Sequence, residues 1–194
     1  KQERYVKDDD ELNAHLLQIA LNGSKLFVNK DTPALSDTAL EDLAQSYLLA
    51  RSSIQRLARR VDLNILNEMI NLCGIHKEEL GDVDSLKKYA DNLLILLDKH
   101  KLSGMFYRYQ IITDEEARPA IELIRQLHGL DHSYIFDEEF FTSSDYRQIV
   151  KMGDKVDALL GEDAYIQRGD KQHVVSSFEE VMVWLMEQAR KGLS

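Results

Sequence analysis

The segment MFYRYQIITDEEARPAIELIRQLHGLDHSYIF, residues 105–136, decides between an all-helical fold and a mixed one. Residues 105–113 are rich in aromatic and β-branched side chains, which favour strands. Residues 120–128 are ambiguous, because their apolar spacing fits a helical face and also one face of a strand. Gly129 and the following stretch HSYIF (132–136) favour a hairpin, so we predict a strand at 120–128. We therefore predict an α+β fold, with several helices packed beside small, mostly antiparallel sheets or hairpins.

Outside this segment, helical spacing of apolar residues predicts most of the remaining structure. The predicted helices are a short one with Asp8–Glu11 in its first turn, a long one from Ser36 to Val61, one at 63–72, one at 84–97, one at 144–160, and a last one capped by Ser176 or Ser177. Two further hairpins are predicted, one within residues 15–29 around Asn22-Gly23 and one around Gly169-Asp170, because such dipeptides favour tight turns.

The chain is acidic, with 24 basic and 34 acidic residues and a net charge of −10. Phosphate neutralisation dominates nucleic-acid affinity, so the chain as a whole repels DNA, although a local basic patch is compatible with this charge. Its one cysteine, Cys73, cannot form an internal disulfide, which is typical of a reducing, cytoplasmic compartment. The apolar runs are shorter than the roughly 20 residues that span a bilayer, so we expect no membrane partner.

Catalytic and metal-binding motifs are weak. The sequence has neither a phosphate-binding G-x-x-x-x-G-K-[ST] loop nor a G-x-S-x-G nucleophile turn. His128 and His132 have a spacing that metal-binding helices use, but a turn is predicted there, and exposed loop histidines fit better. Cys73 is predicted to be a small buried residue in a helix. Asp8 and Asp10 could hold Mg²⁺, but an acidic first helical turn explains them without an ion.

One dense basic cluster stands out, at Arg51, Arg56, Arg59 and Arg60. The last three are predicted to share one side of the long helix, and they could contact DNA phosphates or an acidic protein surface. An ordinary exposed charged face, with partners one helical turn away, explains the same pattern. We therefore expect no catalytic, metal-binding or cofactor-binding residues, and keep the four arginines as possible DNA or partner contacts.

Five stretches, taken in order, carry a resemblance to a known family. They are KQERYVKDDDEL (1–12), QIALNG (18–23), LARR (57–60), DEEFFTSSDYRQI (137–149) and AYIQRGDKQHVVSSFEEVMVWLMEQARKGLS (164–194). Over essentially the whole chain, the sequence resembles the B subunit of DNA gyrase, a type IIA topoisomerase. The matching region is the large insert that interrupts the TOPRIM domain in many Gram-negative bacteria.

The resemblance implies a domain organisation and a set of cofactors. Residues 1–14 would be the edge of the parent TOPRIM domain and residues 15–194 the insert, with a helical part at 36–102 and a mixed part at 103–194. The family's magnesium-binding carboxylates have no match in this chain, and Asp8 and Asp10 do not correspond to them. ATP and Mg²⁺ would therefore bind the parent enzyme elsewhere, and the chain would be a piece cut from a longer protein, with its two ends close together.

The resemblance also implies a role and partners. The parent would hydrolyse ATP and negatively supercoil DNA in the cytoplasm, at the nucleoid. The insert would be a non-catalytic buttress that contacts the TOPRIM domain and the gyrase A subunit, and that modulates DNA binding and ATP coupling. Direct DNA-backbone binding through the four arginines is the alternative. A third hypothesis, an independent hydrolase or ligand-binding domain, would need a pocket with convergent polar groups.

Overall fold

The computed structural model describes residues 2–192 and, among them, the side chains of residues 11–12 and 14–192. Within this range the chain forms helices and antiparallel strands, which confirms the predicted α+β class. The helices are α1 Gln2–Leu21, α2 Asp37–Leu57, α3 Leu63–Met69, α4 Val83–Leu97, α5 Glu138–Phe141, α6 Ser144–Val156 and α7 Phe178–Lys191. The strands are β1 Ser24–Phe27, β2 Leu35–Ser36, β3 Met105–Asp114, β4 Ala117–Leu127, β5 Leu130–Phe136, β6 Tyr165–Arg168 and β7 Lys171–Val174. Short 3-10 turns lie at Lys77–Glu79 and Asp98–His100.

The chain divides into two compact units. Unit 1 combines residues 1–45 with residues 158–194, and unit 2 is the intervening stretch 46–157. Unit 2 contains α3, α4 and also the sheet of β3, β4 and β5, so the units are drawn differently from the predicted helical and mixed parts. The assignment of residues 1–14 to a parent domain stays a prediction.

Unit 1 is built on a four-stranded sheet in the order β2-β1-β6-β7. The predicted hairpin around Gly169-Asp170 is confirmed, with Arg168 opposite Lys171. Strand β1 pairs with β6, and there the rings of Phe27 and Tyr165 stack with their centroids 4.5 Å apart. The terminal helices α1 and α7 pack against each other. Unit 1 therefore brings together segments from both halves of the sequence.

The predicted hairpin within residues 15–29 is wrong, because its first half is the last part of α1. Leu16, Leu17, Ala20 and Leu21 are buried, and this spacing fits one helical face rather than a strand. Gly23 has a φ of +77°, a left-handed conformation that glycine adopts freely after a helix. The Asn-Gly pair thus ends a helix before β1 begins.

Unit 2 contains the three-stranded sheet β3-β4-β5, which confirms the strands predicted at 105–136. Helix α4 packs against β3 and β4, and it lies within one residue of its predicted start. The sheet residues that face the helices include Ile121, Leu123 and Phe136, each at most 1% exposed. The alternation of apolar and polar residues and the signals for tight turns therefore predicted the strands of this sheet correctly.

The stretch 137–149, DEEFFTSSDYRQI, joins this sheet to α6 and contributes Phe140, Phe141, Tyr146 and Ile149 to the buried core of unit 2. Asp137 and Ser143 accept hydrogen bonds from backbone N–H groups at the starts of α5 and α6. Between these caps, Phe140 and Phe141 point inward and meet the ring of Tyr146, with centroids 5.2 and 5.1 Å apart. The motif is therefore a pair of helix starts around an aromatic core.

Two glycines allow a very close approach between α6 and residues 70–76. A Cβ on Gly153 would lie 2.3 Å from the carbonyl oxygen of Leu72, and one on Gly74 would lie 2.5 Å from Val150. Both distances are shorter than real Cβ contacts, so a side chain at residue 153 would force a backbone shift and one at residue 74 would displace the side chain of Val150. Helix α6 ends at Val156, earlier than the predicted end at residue 160.

Candidate functional site

The four arginines predicted as contacts lie on the second half of α2 and in the turn that follows it. Arg51 and Arg56 are on the helix, which ends at Leu57. Arg59 and Arg60 lie in the turn between α2 and α3, so the prediction that Arg56, Arg59 and Arg60 share one side of the helix is wrong. We call residues 58–62 the arginine turn.

Arg56 has an acidic partner within unit 2. Its Nε and Nη2 atoms donate to Asp145 Oδ1 at 2.9 and 2.8 Å, and Nη2 also donates to Ser53 Oγ at 3.2 Å. Asp145 lies in the first turn of α6, 89 residues away in sequence. The guanidinium charge is thus offset inside the unit, which weakens its attraction for DNA phosphates.

Arg51 also uses its guanidinium internally. Its Nη1 donates to Asn67 Oδ1 of α3 at 2.5 Å, and the residue is half-buried. Because Asn67 is neutral, Arg51 keeps its charge. Its position is fixed against α3, however, and one of its five donors is used there.

Arg59 and Arg60 are exposed, and among the described residues they form no hydrogen bond or ion pair. Arg60 lines a cleft of about 220 Å³ in unit 2 that also contains Tyr134, Asp137 and Glu139. The two carboxylates reduce the positive potential on this side of the turn. Of the four predicted arginines, Arg59 is therefore the most available to an anionic partner.

A partly buried ion pair holds the arginine turn in place. Arg125 Nη1 on β4 donates to Asp62 Oδ1 at 2.7 Å, and the two side chains are only 20% and 16% exposed. Tyr107, opposite Arg125 in the sheet, has its pKa raised by burial and by the Asp62 carboxylate, while Arg125 acts in the opposite direction. The pair ties the start of α3 to the sheet and thereby fixes the direction of the turn.

The described residues contain no cluster of three or more His, Cys, Asp or Glu side chains that could hold a metal ion. His128 and His132 lie at the β4–β5 turn and on β5, in line with the predicted exposed histidines and not on a helix. The side chains of Asp8 and Asp10 lie outside the described residues. The Arg168-Gly169-Asp170 sequence forms the β6–β7 turn, as predicted.

The prediction that Cys73 is buried in a helix is wrong. The residue is exposed and lies in the loop after α3. Its Sγ lies 3.7 Å from Asp154 Oδ1, while the other carboxylate oxygen lies 3.2 Å from His76 Nε2. Partial burial, followed by the charge of Asp154, raises the pKa of the thiol. A raised pKa lowers the thiolate fraction, which is the opposite of what a nucleophilic cysteine requires.

No helix among the described residues is long and apolar enough to cross a membrane.

Comparison with known proteins gives a consistent result. A family model described as the DNA gyrase B subunit insert domain matches residues 24–189. Two curated relatives, each named as the B subunit of DNA gyrase, come from two strains of Caulobacter vibrioides, NA1000 and CB 15. The chain is 23% identical to each over all 194 of its residues. It spans only 22% of the length of these relatives.

Proposed function

The chain belongs to the DNA gyrase B subunit insert domain family, and from this premise we propose that it is a non-catalytic part of a type II topoisomerase that supercoils DNA at the expense of ATP. In this role it acts as a structural buttress against the TOPRIM domain and the gyrase A subunit. It thereby modulates DNA binding and the coupling of ATP turnover to strand passage. ATP and Mg²⁺ act elsewhere in the parent enzyme, in the cytoplasm.

The packing of α1 against α7 is the observation that carries this proposal. An insertion leaves its host domain and returns to it, so the segments near its two ends need to share one unit. Helices α1 and α7 belong to unit 1, where they also contribute the buried residues Leu17, Ala20, Val181 and Leu185. A host domain that is joined to the insert through α1 and α7 would therefore be connected to one packed unit.

The internal order of unit 2 supports a mechanical role. Its aromatic core, the capped starts of α5 and α6 and the close approach at Gly153 hold the elements of unit 2 in fixed positions. Two clefts of unit 2 have volumes of about 220 and 360 Å³, and charged side chains of both signs line each of them. A rigid unit can transmit a displacement between partners because packed cores resist continuous deformation.

Deleting the insert from the intact B protein tests the buttress. The segment equivalent to residues 15–194 is replaced by a short flexible linker, and the shortened protein is assembled with the gyrase A subunit. We expect ATP binding and DNA-independent hydrolysis to persist while supercoiling falls strongly. Full supercoiling after deletion would refute the buttress.

The second candidate function is contact with the DNA backbone through the arginine turn. The specific support is that Arg59 and Arg60 are adjacent, exposed and unpaired among the described residues. Each phosphate contact contributes roughly 0.9 to the slope of log affinity against log salt. Arg59→Gln with Arg60→Gln should therefore reduce the slope of the intact complex by about 1.8 if both side chains contact phosphates.

The same double variant separates the two candidates. The buttress predicts that supercoiling and the salt slope stay unchanged, because neither arginine supports the core of unit 2. Arg56→Gln serves as the matched control, since its charge is already offset by Asp145. An unchanged slope in the double variant would rule out the DNA-contact role of the arginine turn.

A further inference from the structure

Three basic residues line one open cleft in unit 1, on a part of the chain that the arginine cluster does not include. The cleft has a volume of about 540 Å³ and lies between the end of α1, the β6–β7 turn and the end of α7. Among the described residues, the lining includes the basic residues Arg168, Lys171 and Lys191 and the acidic residue Asp170. Lys191 already takes part in an interaction, so the site depends on Arg168 and Lys171 for its positive charge. We call this feature the hairpin cleft.

The local charge of the hairpin cleft is opposite to that of its surroundings. The two segments of unit 1, residues 1–45 and 158–194, contain nine basic and fifteen acidic residues, a net charge of −6. Among the described residues, the lining of the cleft nevertheless contains three basic residues and one acidic residue. A basic concavity within an otherwise acidic unit focuses field lines and attracts anions locally.

A buried amide adds a directed donor to the cleft. Gln188 is only 7% exposed, yet its side chain is part of the cleft lining. Lys171 Nζ lies 3.4 Å from its Oε1, and an ammonium can only donate, so this atom is the amide oxygen. Among the residues that the structure describes, no hydrogen bond uses the Nε2 group, which leaves two N–H donors for a ligand.

The remaining polar groups suit the same ligand. Asn22, in the turn after α1, also lines the cleft. Arg168 presents a planar fork that matches phosphate geometry, and it is half-buried, so its position is restricted. Donors therefore come from three separate segments, which fits a tetrahedral oxyanion with several oxygens better than a planar carboxylate.

We propose that the hairpin cleft is a binding site for a phosphate group, held by Arg168, Lys171 and the amide of Gln188. The phosphate is either free, as inorganic phosphate or a small phosphate ester, or a phosphodiester of a nucleic-acid backbone. The site lies in unit 1 and is independent of the arginine turn and of the buttress role.

Titration of the whole chain with inorganic phosphate tests the site. Amide signals of ¹⁵N-labelled chain are followed at constant ionic strength, with sodium chloride as the reference salt. Saturable shifts are expected at the side-chain amide of Gln188 and at the backbone amides of Gly169 and Asp170. Equal shifts with chloride, or shifts that do not saturate, would overturn the proposal.

Charge-neutral variants make the test specific. Arg168→Gln and Lys171→Gln should each weaken phosphate binding about tenfold, the size of one charge-assisted hydrogen bond. Arg190→Gln is the matched control, because Arg190 is an exposed arginine at the same end of α7 but outside the cleft. The affinity of this variant for phosphate should equal that of the parent chain. Unaltered signals in the rest of the spectrum show that each variant is folded. Equal affinities in all three variants would contradict the assignment.

A competition experiment identifies the source of the phosphate. A short DNA duplex is added to the phosphate-saturated chain at low salt. Displacement of phosphate, lost in Arg168→Gln, supports a phosphodiester ligand. Retained phosphate supports a free phosphate or a small ester. If DNA displaced phosphate equally well from the Arg168→Gln variant, DNA would be binding elsewhere on the chain. This result would contradict the hairpin cleft as the position where DNA binds.

Discussion

The hydroxyl of Tyr146 accepts a hydrogen bond from the backbone N–H of Ile75 at 2.9 Å, within the core of unit 2. Tyr146 is 1% exposed, and its ring meets Phe140 and Phe141. The bond ties α6 to the loop after α3 at the point where Gly153 and Gly74 permit close approach. One side chain thus joins the aromatic core to the loop backbone.

Tyr146→Phe should lower the free energy of unfolding by about 1–2 kcal/mol, because a buried backbone N–H loses its acceptor while the ring still packs. Tyr146→Ala should cost more, about 3–5 kcal/mol, because it also leaves a cavity. Urea unfolding of the chain measures both values. Tyr165→Phe is the control, since that ring stacks on Phe27 without a hydroxyl bond among the described residues, and it should change little. Equal effects of the two phenylalanine variants would contradict the role of the hydroxyl.

Gly153→Ala should be destabilising by about 2 kcal/mol or more, because the added methyl overlaps the carbonyl oxygen of Leu72 and forces a backbone shift. Gly81→Ala is the matched control in the same unit. A Cβ at Gly81 meets nothing within 4 Å, and its φ is not in the left-handed region. Thermal unfolding of the two variants compares them directly. A stable Gly153→Ala chain would show that α6 does not approach residues 70–76 so closely.

The ion pair between Arg56 and Asp145 should contribute little to stability. Its side chains are 58% and 24% exposed, and pairs of this kind give about 0.5–1 kcal/mol in double-mutant cycles. We expect this coupling from Arg56→Ala, Asp145→Ala and the double variant, measured by urea unfolding at low salt. A coupling energy of zero would mean that Arg56 is as free as Arg59 to meet an anionic partner.

Tyr109 gives a prediction about pH. Its hydroxyl donates to Asp91 Oδ1 at 2.7 Å, and this bond, with burial and the charge of Asp91, raises the pKa from 10.0 to about 12. Because the folded pKa is the higher one, the contact is fully stabilising below pH 10.0 and is lost as the pH rises towards about 12. The difference in ultraviolet absorbance between the parent chain and Tyr109→Phe isolates this titration. Asp91→Asn should return the midpoint towards 10.0, and an unmoved midpoint would contradict the assigned cause.

Short-range signals in the sequence predicted much of the fold. The strands of residues 105–136 and the β6–β7 turn depend on alternation and on glycines at fixed offsets, which act within a few residues. Ser177 was one of two predicted caps and does accept from the N–H of Glu180 at the start of α7. Asn22-Gly23 failed because the same dipeptide suits a hairpin and a helix end. The choice between a strand and a helix at residues 15–21 depended on which of these side chains are buried, and the dipeptide does not contain that information.

The candidate surfaces depended on contacts that sequence spacing does not contain. Arg56 and Asp145 are 89 residues apart, so nothing local indicates that the arginine charge is offset. The hairpin cleft combines residues near 22, 170 and 190, which only the sheet topology of unit 1 brings together. Cys73 was predicted to be buried because cysteines usually are, but α3 ends at Met69 and leaves it in a loop.

The pairing of β1 with β6 constrains the order in which the chain can fold. Ser24–Phe27 cannot pair with Tyr165–Arg168 until residues 165–168 have left the ribosome, whereas the hairpins and helices of residues 46–157 involve mostly nearby partners. Unit 2 should therefore acquire its structure first during synthesis. Once folded, it replaces a long flexible loop with a compact spacer, so the entropy lost when β1 finally finds β6 is smaller.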